Sequence, residues 1–222
     1  MALPSKESTI PMMLTKKYLQ KLYVEEQKSM KEIAEKLGCS VNRIHYWMIK
    51  HRFPRRSLRD AIYRKHHPQG DPFKYVPPRT AKDKMLFGMG MGLYWGEGTK
   101  ANKHAVRLGN TDPELLKMFQ KFLMRFFQIP REDFRFGLQL FTDINPKKAL
   151  DFWTKELKID KRQFYKITVT PSGSLGTYRK KSPYGVVTLY YNNYKVRDHL
   201  IKFLDTLSGR RSSGVEQHNG NV

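Results

Sequence analysis

Gly88, Gly92 and Gly96 fall in steps of four inside the run KDKMLFGMGMGLYWGEGTK that begins at Lys82, and this spacing constrains the chain more than any other feature. Residues four apart share one helix face. A glycine-rich loop is the competing reading, but Met85, Leu86, Met89 and Leu93 stand between the glycines and favour a helix. Glycine in a helix interior costs on the order of 1 kcal/mol relative to alanine, so three in register need a compensating reason. A face stripped of side chains lets a second backbone approach closely, and another copy of the same helix is the obvious candidate. The helix ends in Trp95, Gly96, Glu97 and Gly98, which sets an acid at the negative end of the macrodipole, a position disfavoured by about 0.3–1 kcal/mol. Something positive is expected beside it. Either a lysine such as Lys100 serves, or Glu97 and its symmetry mate across the helix pair hold a divalent metal ion for phosphodiester hydrolysis.

What the helix works on is suggested by charge. The chain of 222 residues has 42 Lys+Arg against 20 Asp+Glu, a net charge of +22, so its partner is expected to be a polyanion. With 39% hydrophobic and 13% aromatic residues, it is not a disordered basic tail. A single cysteine, Cys39, excludes a disulfide framework and a cysteine-rich zinc site. The adjacent His66 and His67 lack partners at metal-ligand spacing. The longest apolar stretch, Met85 to Trp95, is broken by glycines and too short to cross a bilayer, and the N-terminus lacks the apolar core of a secretory signal. A cytoplasmic protein, nucleoid-associated when bound to DNA and without a membrane partner, is expected.

From Leu14 the pattern is that of three short helices. Leu19, Leu22 and Tyr23 form a helical stripe; Ser29 with Glu32 three residues on makes a capping box; Gly38 permits a left-handed turn; and Ser40 caps a third helix whose Ile44 and Trp47 point inward. Ala34, Gly38 and Ile44 have the spacing that two helices packed across a tight turn require. Residues 14–52 resemble the helix-turn-helix of resolvases and bacterial regulators. That resemblance implies that the third helix turns Ser40, Asn42, Arg43, His45 and Tyr46 towards base edges and phosphates. A plain three-helix packing unit is the alternative.

Residues 53–82 contain five prolines and many cations without an apolar period. They are expected to form an extended tether whose Arg55, Arg56, Arg59, Arg64 and Lys65 track phosphates or simply remain solvated. Beyond the glycine helix the sequence predicts a strand at 105–109 and a helix capped by Asp112 with Pro113 at its first position. A strand follows at 134–141 with Phe134, Phe136, Leu138 and Leu140 on one side. Then come a helix from Asn145 and Pro146, strands at 164–170 and 186–191, and a last helix after Asn193. Arg107, Arg135, Gln139, Lys166 and Thr168 would share a polar sheet face suited to a major groove or to solvent. Arg179, Lys180 and Lys181 are expected at a hairpin tip that closes on phosphates, and residues 208–222 are expected to be disordered.

The run Gly92-Leu93-Tyr94-Trp95-Gly96-Glu97-Gly98 resembles the end of the LAGLIDADG motif of homing endonucleases. In that family a glycine-packed helix pair delivers one acidic residue per helix to a metal site. Gly92 and Gly96 match its small packing positions and Glu97 its metal-binding acid, while Gly90 replaces a leucine of the motif and Trp95 its first aspartate. The resemblance, spanning roughly residues 83–207, implies an α+β protein: a three-helix helix-turn-helix domain over residues 1–52, a linker over 53–82, and a LAGLIDADG-like domain with αββαββα order and a saddle-shaped antiparallel sheet. A single motif implies a homodimer acting on double-stranded DNA with Mg2+ at paired Glu97 carboxylates, Lys166 stabilising the scissile phosphate, and Gly88, Gly92 and Gly96 forming the helix seam. Two functions follow. One is a metal-dependent, site-specific endonuclease of the homing type. The other is a transcription regulator that keeps both domains without cleavage. A resolvase-type recombinase lacks a nucleophile constellation here.

Overall fold

A computed structural model describes residues 14–172 and 182–209, in two compact units, Met1–Asp71 and Pro72–Val222. Arg179, Lys180, Lys181 and the tail from 210 lie outside the described residues.

In the first unit Thr15 caps α1 (Lys16–Gln20), which continues as a π-helical turn over Lys21–Glu25. α2 (Met30–Leu37) opens with the expected capping box: Glu32 N–H donates to Ser29 Oγ at 3.1 Å and Ser29 N–H to Glu32 Oε2 at 2.7 Å. It ends at Gly38, φ 61°, where a side chain would be strained. α3 (Val41–Lys50) is capped by Ser40. Leu19, Leu22, Ile33, Ala34, Ile44 and Trp47 are buried together between these helices, so the apolar stripes read from the sequence are the ones that pack.

The segment expected to be a tether is largely structured. Ser57 caps α4 (Leu58–His66), accepting from Asp60 N–H at 3.1 Å. Farther on, Lys74 N–H donates to the carbonyl of Phe127 and Val76 N–H to that of Phe126, at 3.1 and 2.8 Å, while Phe73 and Tyr75 pack on the Phe127 ring. Residues 72–80 therefore belong to the second unit. The prolines restrict the backbone locally, but pairing with orphan helix carbonyls fixes where the strap lies.

The second unit comprises α5 (Ala81–Glu97), β1 (Val106–Asn110), α6 (Pro113–Phe127), β2 (Arg135–Phe141), α7 (Pro146–Leu157), β3 (Thr168–Thr170), β4 (Val186–Tyr191) and α8 (Tyr194–Leu207). With α1 to α4, the described residues form an α+β protein of eight α-helices and one four-stranded sheet. The sheet runs β1-β4-β2-β3. β4 is antiparallel to β1 and β2, but β3 runs parallel to β2, with Gln139 opposite Thr168. The expectation of a wholly antiparallel sheet in αββαββα order is thus corrected: a helix separates β1 from β2 and β2 from β3. The strand expected at 164–170 contracts to Thr168–Thr170, with Phe164 meeting Phe136 as an isolated bridge.

Alternation decides which sheet face is covered. Val106, Leu108, Phe136, Leu138, Leu140, Val187 and Leu189 are buried against α5, α6, α7 and α8, as the two-residue period of a strand requires. The aromatic face of α6, with Phe119, Phe122, Phe126 and Phe127 at 0–1% exposure, fills this layer, each ring contributing roughly 1.5–3 kcal/mol of apolar burial. Gly90 explains how α5 fits onto it. A Cβ built there would lie 2.1 Å from Phe122 Cγ, so glycine at this position is a packing requirement within the unit. No helix among the described residues is long and apolar enough to cross a membrane.

Candidate nucleic-acid interface

On the first unit, Asn42 and Tyr46 are exposed on α3, and Arg43 and His45 are half-exposed. Ser40, predicted as a contact, already uses its hydroxyl to accept from Arg43 N–H at 3.3 Å. Lys50 was not foreseen; its ammonium lies 4.8 Å from the Trp47 ring centroid and 5.8 Å from that of Tyr46. Val41 and Ile49 add apolar surface on the same helix, at 41% and 64% exposure.

The two arginines after α3 differ. Arg55 is exposed. Arg56, expected to track phosphates, is a clamp: its guanidinium donates to the carbonyls of Gln27 at 2.8 Å, Lys28 at 3.1 Å and Tyr23, and lies 4.0 Å over the Tyr23 ring. Its N–H also donates to Tyr23 Oη. Desolvation lowers its pKa, and the nearby Arg64 adds to this. The Tyr23 carbonyl lies within the π-helical turn and those of Gln27 and Lys28 follow it, at a helix end where carbonyls need partners from elsewhere.

On the second unit, the uncovered sheet face is organised in rows. Arg107, Tyr190 and Arg135 form one row across β1, β4 and β2; Gly109, Thr188 and Gly137 form the next; Gln139 pairs with Val186 on one side and Thr168 on the other. Arg107 stacks over the Tyr190 ring at 5.2 Å, with its Nε buried and without a partner among the described residues. Tyr190 leans over Gly137, whose added Cβ would meet the ring at 3.1 Å, and a Cβ at Gly109 would meet Thr188 Oγ1 at 2.9 Å. Glycine in a strand interior marks a place where another group comes close. Here the approaching groups are neighbouring side chains, and they leave a shallow row between the cations and Gln139. Tyr165, also unforeseen, packs edge-on against Tyr190 at 5.5 Å and accepts from Asn192 Nδ2 at 2.9 Å. Arg135 reaches outward less than expected, because its Nη1 donates back to the carbonyls of Glu132 and Phe134 at 2.6 and 2.9 Å. Lys166 is exposed beside Tyr165, before β3 begins.

Glu97, the last residue of α5, is exposed. Gly98 follows because a Cβ there would strike the Tyr94 carbonyl and ring at 2.4 Å. Lys100 supplies the cation that the helix end calls for, but it donates to the carbonyl of Trp95 and not to the carboxylate. α8 holds the following loop: Arg197 donates to the carbonyls of Lys100 at 2.7 Å and Asn102 at 3.1 Å. No ion pair joins Glu97 to Lys166 or to any other described residue, and the described residues include no cluster of three or more His, Cys, Asp or Glu that would hold a metal.. Around it the α5 face is open. Gly88, Gly92 and Gly96 have no atom within 4 Å of an added Cβ, and Met85, Met89 and Trp95 are 64%, 43% and 53% exposed.

Neither the protein-family models, nor the curated proteins, nor the solved structures contain a match to this chain.

Proposed function

We propose that this chain is a DNA-binding protein that cleaves duplex DNA as a homodimer, with the two α5 helices packed through Gly88, Gly92 and Gly96 and the two Glu97 carboxylates sharing one site. The observation that carries the reading is Glu97 itself: it stands exposed and enters no ion pair among the described residues, while its nearest expected neutraliser, Lys100, donates to a backbone carbonyl.

Magnesium fits the donors in a limited way. It keeps several waters and is commonly held by one or two carboxylates, which is what one Glu97 per protomer offers. When bound it would lower the pKa of water and offset phosphate charge. The chain's own residues orient the duplex: Arg107 presents a guanidinium braced by Tyr190, Gln139 and Thr168 offer hydrogen bonds beside the glycine row, and Asn42, Arg43, His45, Tyr46 and Arg55 extend the contact from the helix-turn-helix. These are groups suited to base edges and phosphates.

A second reading, a transcription regulator that binds without cutting, is favoured by the absence of any contact between Glu97 and a cation suited to the scissile phosphate, Lys166 included. The test is cleavage of a randomised duplex library, with magnesium and with EDTA, by the intact protein and by Glu97→Gln. Discrete magnesium-dependent cuts, reduced at least a hundredfold in the variant, are expected. Selective binding with no cuts under either condition would replace the nuclease by the regulator.

A further inference from the structure

The second unit carries a groove of about 880 Å³ on its helical layer, bordered by α5, α6 and the end of α7; the proposed DNA contacts do not use it, but its Met85 and Met89 also flank the glycine face, so an occupant would compete with the proposed α5 seam. Its apolar lining comes chiefly from Met85, Met89, Met118 and Met124. Methionine is flexible and polarisable and suits surfaces that adapt to an apolar side chain of a partner. Met85 and Met89 are exposed and Met118 and Met124 half-exposed, an apolar concavity of the kind that marks an interaction surface.

Two observations indicate what fills it. The first is the sign of its rim. The acids at the groove are already paired, Asp83 bidentately with Arg125 at 2.9 Å and Glu156 with Lys117 at 2.7 Å. Lys82, Lys121 and Lys158 are exposed there and enter no ion pair among the described residues. The uncompensated charge is positive. The second is Gln120, which lines the groove at 3% exposure with its Nε2 buried and without a partner among the described residues. A buried amide donor without an acceptor is costly, so the groove lacks an acceptor that an occupant would bring.

We infer that this groove docks an acidic amphipathic helix of another protein, whose apolar face enters between the methionines while its carboxylates meet Lys82, Lys121 and Lys158 and a carbonyl or carboxylate oxygen accepts from Gln120. The chain itself is a poor source of such a segment. It has 20 acids against 42 basic residues, and the stretches 1–13 and 210–222 hold one Glu each. Nucleic acid would satisfy the lysines but leave the methionines unused, since unpaired bases bind on aromatic planes, and none lines this groove. Helix-in-groove docking uses anchors at i, i+3, i+4 and i+7.

The test is fluorescence anisotropy of the full chain with a labelled peptide of about 16 residues, long enough for four turns, carrying leucines at that spacing and glutamates elsewhere. It is run beside a scrambled peptide of the same composition. At least tenfold tighter binding of the patterned peptide is expected, with a loss of tenfold or more in Met89→Glu and in Lys121→Glu/Lys158→Glu. The exposed positions of these substitutions leave the fold intact, which circular dichroism checks. Gln120→Leu is expected to raise thermal stability while weakening the peptide severalfold. Equal binding of the scrambled peptide, or no binding of either, would overturn the proposal. So would displacement of the peptide by duplex or single-stranded DNA, which would make the groove a nucleic-acid site. Peptide affinity that survives Met89→Glu while dimers disappear would assign the methionines to a second copy of this chain and likewise overturn it.

Discussion

α5 carries glycine on two faces, and the two are in opposite situations. On the buried face, Gly90 stands against Phe122 of α6, with no room for a single methyl group. On the other face, Gly88, Gly92 and Gly96 border open space within the protomer, flanked by exposed Met85, Met89 and Trp95. The same residue type thus has its packing reason inside the molecule at one position and none inside it at three. A helix that gives up about 1 kcal/mol of propensity at each glycine has, among the described residues, no contact to an added Cβ in return at these three. The proposed dimer seam rests on that difference.

The sharpest way to break the comparison is Gly90→Leu. Overpacking a filled site costs about 1–3 kcal/mol and sometimes more, so the thermal midpoint of the Pro72–Val222 unit should fall by roughly 2–12 °C; a midpoint unchanged within a degree would mean that α5 and α6 do not meet at Gly90. Substituting the open face has the reverse sign. Gly88, Gly92 and Gly96 changed together to Ala should raise the midpoint of a dilute sample, since each gains up to about 1 kcal/mol of helix propensity, while Gly92→Leu should abolish dimers in sedimentation with the unit still folded. A dimer that survives Gly92→Leu would remove the seam from that face. A lowered midpoint in the triple variant would mean that something in the protomer already covers it.

The smallest expected effect tests how the buried face is anchored at the start of α5. There Thr80 caps Asp83, whose carboxylate pairs with Arg125. Hydrogen bonds from Arg125 hold the Asp83 carboxyl below its ordinary 3.8, outweighing its desolvation. The folded value lies below the unfolded one, so the pair's contribution is full above the ordinary value and is lost as pH falls through the depressed one. Asp83→Asn should therefore be less stable than the parent at neutral pH, and the gap should narrow below about pH 4. A gap that is constant on acid titration would deny the ion pair its part.

Most of the helices were legible because their signals are local. Ser29 with Glu32, Gly38, Ser40, Asp112 with Pro113, Asn145 with Pro146, and Asn193 each mark an end within a few residues, and the observed caps are at those residues. α4 was missed because only Tyr63 of its nine residues is buried, which leaves no apolar period to read, while the prolines on either side suggested extension. The parallel pairing of β2 with β3 depends on partners 29 residues apart, Gln139 with Thr168, and no pattern within either strand specifies a direction. At the candidate interface, residue type singled out Arg107, Gln139 and Glu97, of which Gln139 and Glu97 are exposed and Arg107 is half-exposed. It failed for Arg56, since a guanidinium that satisfies carbonyls in its own unit is indistinguishable in sequence from one that meets phosphates. Tyr190 and Tyr165 were legible only as strand residues; their role beside Arg107 comes from register.

The strap over residues 72–80 sets the boundary at which this unit could be exchanged between genes. Because Lys74 and Val76 donate to the carbonyls that end α6, the transferable module begins at the strap and not at the glycine helix. A recombination event that cut just before α5 would hand its recipient a sheet and helices with two peptide carbonyls left unmet and an aromatic edge laid bare. The segment that looks most like dispensable connector is part of what makes the module heritable as a piece.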